Sequence, residues 1–346
     1  METLVDALLR GERRALARLL TIVENEREGM NQALTALFPH TGRAWVIGVT
    51  GAPGTGKSTL VNALTKAYRE VGKTVGIIAV DPTSPYSGGA ILGDRIRMRD
   101  LSGDSGVFIR SMATRGSLGG LSRATRDAIR VMDAAGFDII LVETVGAGQS
   151  EVDIVRTAQT TLVVEAPGLG DDVQAIKAGI LEIADVLVVN KADRPGVENT
   201  VRGLRAMLEL GHPASRSQLV QHHGQLVPVD SRDNSPADPL WLPPIVRTVS
   251  TEESGIEELV TAIENHRAYL GNEGVLEVLE RQHIEIELVD RLRTALMSRL
   301  LNVVPQDAIT TLIHQVQTRE YTPQEAVSVI LKLHDEGLSG QSTISG

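Results

Sequence analysis

The 346-residue chain contains no cysteine. That absence excludes a disulfide framework, a thiolate zinc or nickel site and a cysteine nucleophile. Aromatic residues are also scarce, 3% against 42% hydrophobic, so the core has to be aliphatic, as in α/β proteins whose parallel strands are buried on both faces. An excess of basic residues is missing too. The 34 Lys and Arg face 44 Asp and Glu, a formal charge of −10, which argues against a nucleic-acid partner. No apolar run approaches the roughly 18 residues that would cross a bilayer, and the opening METLVDALLRGERRALARLL lacks the apolar stretch of a secretion signal. A soluble, cytoplasmic protein with no membrane partner is the expectation.

What the chain does have is alternation. Leu4, Leu8, Leu16, Leu19, Leu20 and Val23 fall at helical spacing, which predicts docking helices before the main domain. Strand-like segments then alternate with helical ones: AWVIGVT, a helix from Lys57 to about Glu70, TVGIIAVD, a helix around 121–135, FDIILVET, TTLVVEA, ADVLVVN, a helix around 199–210, and PIVRTVS. This is the pattern of βα units winding a mostly parallel sheet. Residues 211–244 show no sustained period and many turn formers, and read as a loop-like excursion. From Gly255 onward the chain is helical again, with Leu288, Leu292, Ala295, Leu296 and Leu300 on one face, before a frayed GLSGQSTISG tail.

Within VIGVTGAPGTGKSTL, Gly51, Ala52, Pro53, Gly54, Thr55, Gly56, Lys57 and Ser58 fit G-x-x-x-x-G-K-[ST] between a predicted strand and a predicted helix. Such a loop turns successive backbone N–H groups around an anion, the helix adds its positive end, and Lys57 adds charge at the β- and γ-phosphates. Ser58 can ligate Mg²⁺, and Thr59 completes the phosphate-binding run. LVVNKAD supplies the base. There Asp193 can accept from both the ring N–H and the exocyclic amine of guanine, whereas adenine would set an acceptor against the carboxylate. Lys191 can lie over the base plane, Asn190 can brace the loops, and Ser250 is assigned backbone contacts near the base. Glu143 ends the strand in FDIILVETVGAGQSE, where many GTPases carry an Asp that holds Mg²⁺ or its water, and the Gly146 N–H would meet the γ-phosphate. Ala147 stands where a water-orienting Gln is familiar and Gln149 follows two later, so slow intrinsic hydrolysis is expected and the residue that positions the water stays open. Asp81 either caps the turn before Pro82 or approaches the metal together with Asp94.

Taken together, GAPGTGKST, VDPTSPYSGGAILGDRIRM, VETVGAGQSE, EAPGLGDDVQAIKAGILEIADVLVVNKAD and RRALARLLT resemble the MeaB/ArgK group of metallochaperone P-loop GTPases, well over residues 1–210 and more loosely beyond. The resemblance implies a P-loop NTPase fold, a mostly parallel sheet flanked by helices with helical extensions at both ends: 1–42, a GTPase domain at 43–270, and a dimerisation region at 271–346. It implies a homodimer that hydrolyses GTP to GDP and phosphate, slowly alone and faster with its partner. That partner is an adenosylcobalamin-dependent acyl-CoA mutase, usually methylmalonyl-CoA mutase, whose cofactor delivery and reactivation it gates. By position, Lys57, Glu143 and Gln149 would be catalytic, and Ser58, Asp81, Asp94 and Glu143 would attend Mg²⁺. PGLGDD and the helical stretch after it would form a further switch around Asp171 and Lys177, although the same residues also suit a solvated βα connection. Three histidines in the irregular segment, His212, His222 and His223, suggest a metal loop only faintly. Relatives of this group carry a label as arginine/ornithine transport kinases or ATPases, a competing reading that the guanine tetrad opposes.

Overall fold

The computed structural model describes residues 1–82, 99–101, 103–114, 123–144, 154–168, 183–210, 219–222, 225–228, 241–272 and 274–342. These form two compact units, Met1–Leu279 and Glu280–Gly346. The first opens with three helices, α1 (Glu2–Leu9), α2 (Arg13–Glu24) and α3 (Met30–Leu37). A seven-stranded sheet follows, built from β1 (Trp45–Thr50), β2 (Val75–Pro82), β3 (Val107–Thr114), β4 (Ile139–Thr144), β5 (Thr160–Glu165), β6 (Val186–Asn190) and β9 (Ile245–Thr248). Its order is β3-β2-β4-β1-β5-β6-β9, and every neighbouring pair is parallel. Among the described residues the α-helices between strands are α4 (Lys57–Glu70), α5 (Arg123–Ala134) and α6 (Val197–Leu210), and α7 (Ile256–Leu270) follows β9.

Strand alternation divides the apolar residues between two large cores, with a third, smaller cluster of Val163, Leu187, Val189, Val201 and Leu204 beside them. Val46, Ile78, Val80, Ile140 and Val142 join Leu16, Leu19, Leu20 and Leu37 of the N-terminal helices and Ala128 and Met132 of α5. Ile47, Val49, Val75, Ile77, Ile139 and Leu141 face the other way, against Leu60, Leu64 and Tyr68 of α4 and Leu259 and Ile263 of α7. Both faces are covered, so β1 and β4 are buried at every position and read as continuous apolar runs. Because all strands run parallel, the ends of β1, β2, β4, β6 and β9 open on one edge of the sheet, where doubly wound folds bind ligands.

Two stretches of this unit depart from the sequence expectation. β3 was absent from it, because Arg110 and Ser111 interrupt the apolar run. At this sheet edge Arg110 pairs with Glu24 of α2 and also donates to the Thr21 hydroxyl at 3.3 Å, so the charge that hides the strand fastens an N-terminal helix to it. Arg13 adds bonds of 2.8 Å to the carbonyls of Ser105 and Val107, with its guanidinium over the Phe108 ring. The excursion at 211–244 contains a short antiparallel pair, β7 (Leu219–His222) and β8 (Gln225–Pro228), too brief for a period to stand out.

In the second unit, α8 (Val275–Val303), which begins in the first, is followed by α9 (Gln306–Gln317) and α10 (Pro323–Ser342), and α9 packs on α10. Helix α10 continues through GLSGQS, where a frayed tail was expected. Its start is fixed by Thr322 and Glu325: the Thr322 N–H donates to the carboxylate at 2.8 Å, and the Glu325 N–H donates to the hydroxyl at 3.2 Å. Ile284, Leu288, Leu292 and Leu296 recur every fourth residue along α8 and are all more than half exposed.

Candidate functional site

At the end of β1 the backbone turns through conformations that only glycine adopts without strain. Gly51 has φ +139°, Gly54 +85° and Gly56 +94°. Space restricts two of them as well: a Cβ on Gly51 would collide with the Val164 carbonyl of β5, and one on Gly56 with the Asn190 amide. The loop is thus threaded between two neighbouring strand ends before α4 begins at Lys57. The buried Lys57 Nζ donates to the carbonyls of Gly51 at 2.7 Å and Ala52 at 3.0 Å, across the mouth of the loop. The Thr55 hydroxyl closes the same turn on Ala52 O at 2.9 Å. Pro53, Gly54 and Thr59 are exposed around it.

Register brings the next group in. Glu143 lies beside Val49 in the sheet, and the buried Ser58 hydroxyl donates to its carboxylate at 2.6 Å. A hydroxyl and a carboxylate at adjoining strand ends are hard oxygen donors, the set that Mg²⁺ takes, so the residues present fit that ion. Under them the hydroxyls of Thr144 and Thr50 bond at 3.0 Å and tie β4 to β1.

Asn190 forms the third corner, 2% exposed at the end of β6. Its amide donates to Thr55 O at 2.9 Å, and its side-chain oxygen accepts from the Ser250 hydroxyl at 2.7 Å, the Ser250 N–H at 3.3 Å and the Thr248 hydroxyl at 3.1 Å. One side chain therefore joins the phosphate-type loop to the end of β9. Thr248 and the Thr144–Thr50 pair escaped the sequence reading; their only signal is a hydroxyl at a strand end. Lys191 takes φ +56° and its ammonium donates to Gly54 O at 2.5 Å, a left-handed kink that turns the chain out of the sheet. Asp193 follows on that turn with an exposed side chain.

The structure thus brings together Gly51 to Thr59, Glu143, Asn190, Lys191 and Ser250, with Asp193 on the adjoining turn. Asp81 lies next to the end of β2, opposite Ala113, but its side chain lies outside the described residues, as do Asp94, Gly146, Gln149, Asp171 and Lys177 in full. The His222 side chain, together with His212 and His223, is likewise outside them.

A second polar cluster runs along the outer face of α4. Asn62 Nδ2 donates to Asp100 at 3.0 Å, Lys66 Nζ lies 3.3 Å from Asp100 and 2.9 Å from Glu253, and Arg69 grips Asp104 through Nε at 2.8 Å and Nη2 at 3.0 Å. Bonds from Asn62 first, and from Lys66, hold the Asp100 carboxyl below its ordinary value. Arg69 first, with the Gly106 N–H, does the same for Asp104. Glu253 and then Asp100 hold the Lys66 ammonium above its ordinary value.

Comparison with known proteins agrees with this geometry. A family model described as the methylmalonyl Co-A mutase-associated GTPase MeaB matches residues 16–304. A putative GTPase of Pyrococcus abyssi is 46% identical over 332 residues, 96% of each chain. The GTPase ArgK of Escherichia coli is 36% identical over 300 residues, 85% of this chain and 83% of its own. The mitochondrial methylmalonic aciduria type A homolog of Mus musculus is 37% identical over 210 residues, 56% of this chain and 50% of its own. A crystal structure of a LAO/AO transport system kinase shares the fold, with a TM-score of 0.68 at 24% identity over 96% of both chains. With the phosphate loop, the strand-end carboxylate and the N-K-x-D corner assembled on one sheet edge, the chain belongs to the MeaB family of methylmalonyl-CoA mutase-associated, guanine-nucleotide-binding GTPases.

Proposed function

We propose that this protein is a GTP-hydrolysing switch, working in the cytoplasm as a homodimer, that gates adenosylcobalamin delivery to an acyl-CoA mutase and protects or reactivates it. Methylmalonyl-CoA mutase is the first partner to test, on the strength of the family's description and the mouse relative's name. The single observation that carries the nucleotide reading is Asn190, whose side chain locks the Thr55 carbonyl to Ser250 and so places the base-side turn next to the phosphate loop.

In this reading the backbone N–H groups between Gly51 and Ser58, other than at Pro53, donate to the phosphates, and Lys57 exchanges loop carbonyls for phosphate oxygens. Asp193 pairs with guanine, Lys191 covers its plane, and Ser250 keeps the turn in place. Ser58 and Glu143, with Asp81 and Asp94, would hold Mg²⁺, which when bound neutralises charge on the phosphates. Hydrolysis forms a bond from a water oxygen to the γ-phosphorus and breaks the bond to the β-bridging oxygen, leaving GDP and phosphate. Gly146 would meet the γ-phosphate and Gln149 is the candidate for holding the water. Asp171 and Lys177 would pass the state of the nucleotide to the mutase.

Two measurements test this. Calorimetry on nucleotide-free protein should show Mg²⁺-assisted binding of GDP and GTP, and a preference for ATP would favour the kinase reading instead. Phosphate release should be slow for the protein alone and accelerate when a cobalamin-dependent mutase is added; an unchanged rate with every such mutase tried would remove the chaperone role and leave a GTPase.

A further inference from the structure

The α4 cluster lies outside the site described above, yet it touches two segments, one of which adjoins that site. One is the turn after Ser250. Val249 N–H donates to Ser254 O at 3.0 Å, and Glu253 sits at the tip with φ +57°, a conformation that costs a bulky residue roughly 1 kcal/mol and persists only where its surroundings hold it. The other is the Arg99–Asp104 stretch, which leads into β3. Lys66 grips both: its ammonium reaches Glu253 Oε1 at 2.9 Å and Asp100 Oδ2 at 3.3 Å, while Asn62, one turn earlier on the same face, holds the other oxygen of Asp100.

We infer that Lys66 is a positioning residue that fastens the guanine-side turn to α4 and to the segment leading into β3, so that this turn is set against the helix that presents the phosphate loop. The inference rests on the guanine-nucleotide reading of the site. Helix α4 carries Lys57 and Ser58 at its start, so the joint is built on the element that presents the phosphate loop. With Lys66 in place, a shift of Glu253 towards or away from α4 changes the charge opposite Asp100. Without it, the two carboxylates share no cation and the two segments move independently.

The test is the ratio of GDP to GTP dissociation constants, measured with Mg²⁺ for the full chain and for K66Q, E253Q, K66Q/E253Q and K66R. A residue that merely stabilises the fold shifts the melting temperature and leaves this ratio alone. The expected result is a change in the ratio of about two- to fivefold in K66Q, the scale of a partly exposed ion pair. E253Q should change it too, although Glu253 makes no bond to the phosphate loop, and should add nothing once Lys66 is gone; K66R should restore it. A folded K66Q with the wild-type ratio, or strictly additive effects of K66Q and E253Q, overturns the inference. Failure of the wild-type protein itself to bind GDP would instead overturn the reading on which it rests.

Discussion

Asp193 and Asn190 sit three residues apart and do different work, and substitutions should separate them. Asp193 is exposed, so D193N should leave the fold intact while replacing an acceptor with a donor at the position proposed to pair with guanine. GTP affinity should fall on the order of a hundredfold or more. Xanthosine triphosphate, which carries a carbonyl where guanine has its exocyclic amine, should bind the variant better than the parent in a fluorescence titration. Asn190 is buried in a net of four bonds, and N190A leaves Thr55 O and the hydroxyls of Thr248 and Ser250 unsatisfied. It should lose about 2–4 kcal/mol of stability even without nucleotide, read as a lower urea midpoint. The tetrad's place on a strand end was legible in the sequence because N-K-x-D follows an unbroken apolar run. Its bracing role was legible only as an expectation, since the Thr248 and Ser250 hydroxyls come from a strand end and the turn after it, more than fifty residues away.

Elements were legible where periodicity was undisturbed. Helix α4 runs from Lys57 to Glu70 as expected, and β1, β4, β5 and β6 appear within the apolar runs that announced them. Strand β3 was not, because an arginine committed to a tertiary ion pair looks locally like a break in the pattern, and no single-chain periodicity records Glu24 eighty-six residues earlier. The anchorage of the α4 face was equally hidden. Asp104 is a carboxylate held below its ordinary value by Arg69 and the Gly106 N–H, so its contribution is present at neutral pH and disappears as pH falls through that depressed value, below about 4. Urea midpoints followed from pH 7 to 3 should therefore fall less steeply in D104N than in the parent. Gly51 is the corresponding weak point of the phosphate loop. G51A must push the Val164 carbonyl aside in a left-handed backbone, and both nucleotide binding and the melting temperature should drop.

Over the whole molecule, ligand and subunit effects should separate. GDP with Mg²⁺ at a hundred times its dissociation constant should stabilise the nucleotide-binding unit by about 2.7 kcal/mol, seen as a higher melting temperature. If the exposed α8 face is the subunit contact, the double substitution L288E/L292E should convert a dimer to a monomer in sedimentation while GDP affinity is retained. The helices that open the chain have a different role, since α2 packs on α5 and shares one core with the β2 and β4 side chains. A ribosome makes residues 13–24 first and residues 123–134 about a hundred residues later. At typical elongation speeds the leading leucines therefore wait roughly five to twenty seconds for their docking face. In that interval they are ready substrates for holdase chaperones, and the nascent chain cannot complete this half of its core until α5 has cleared the exit tunnel.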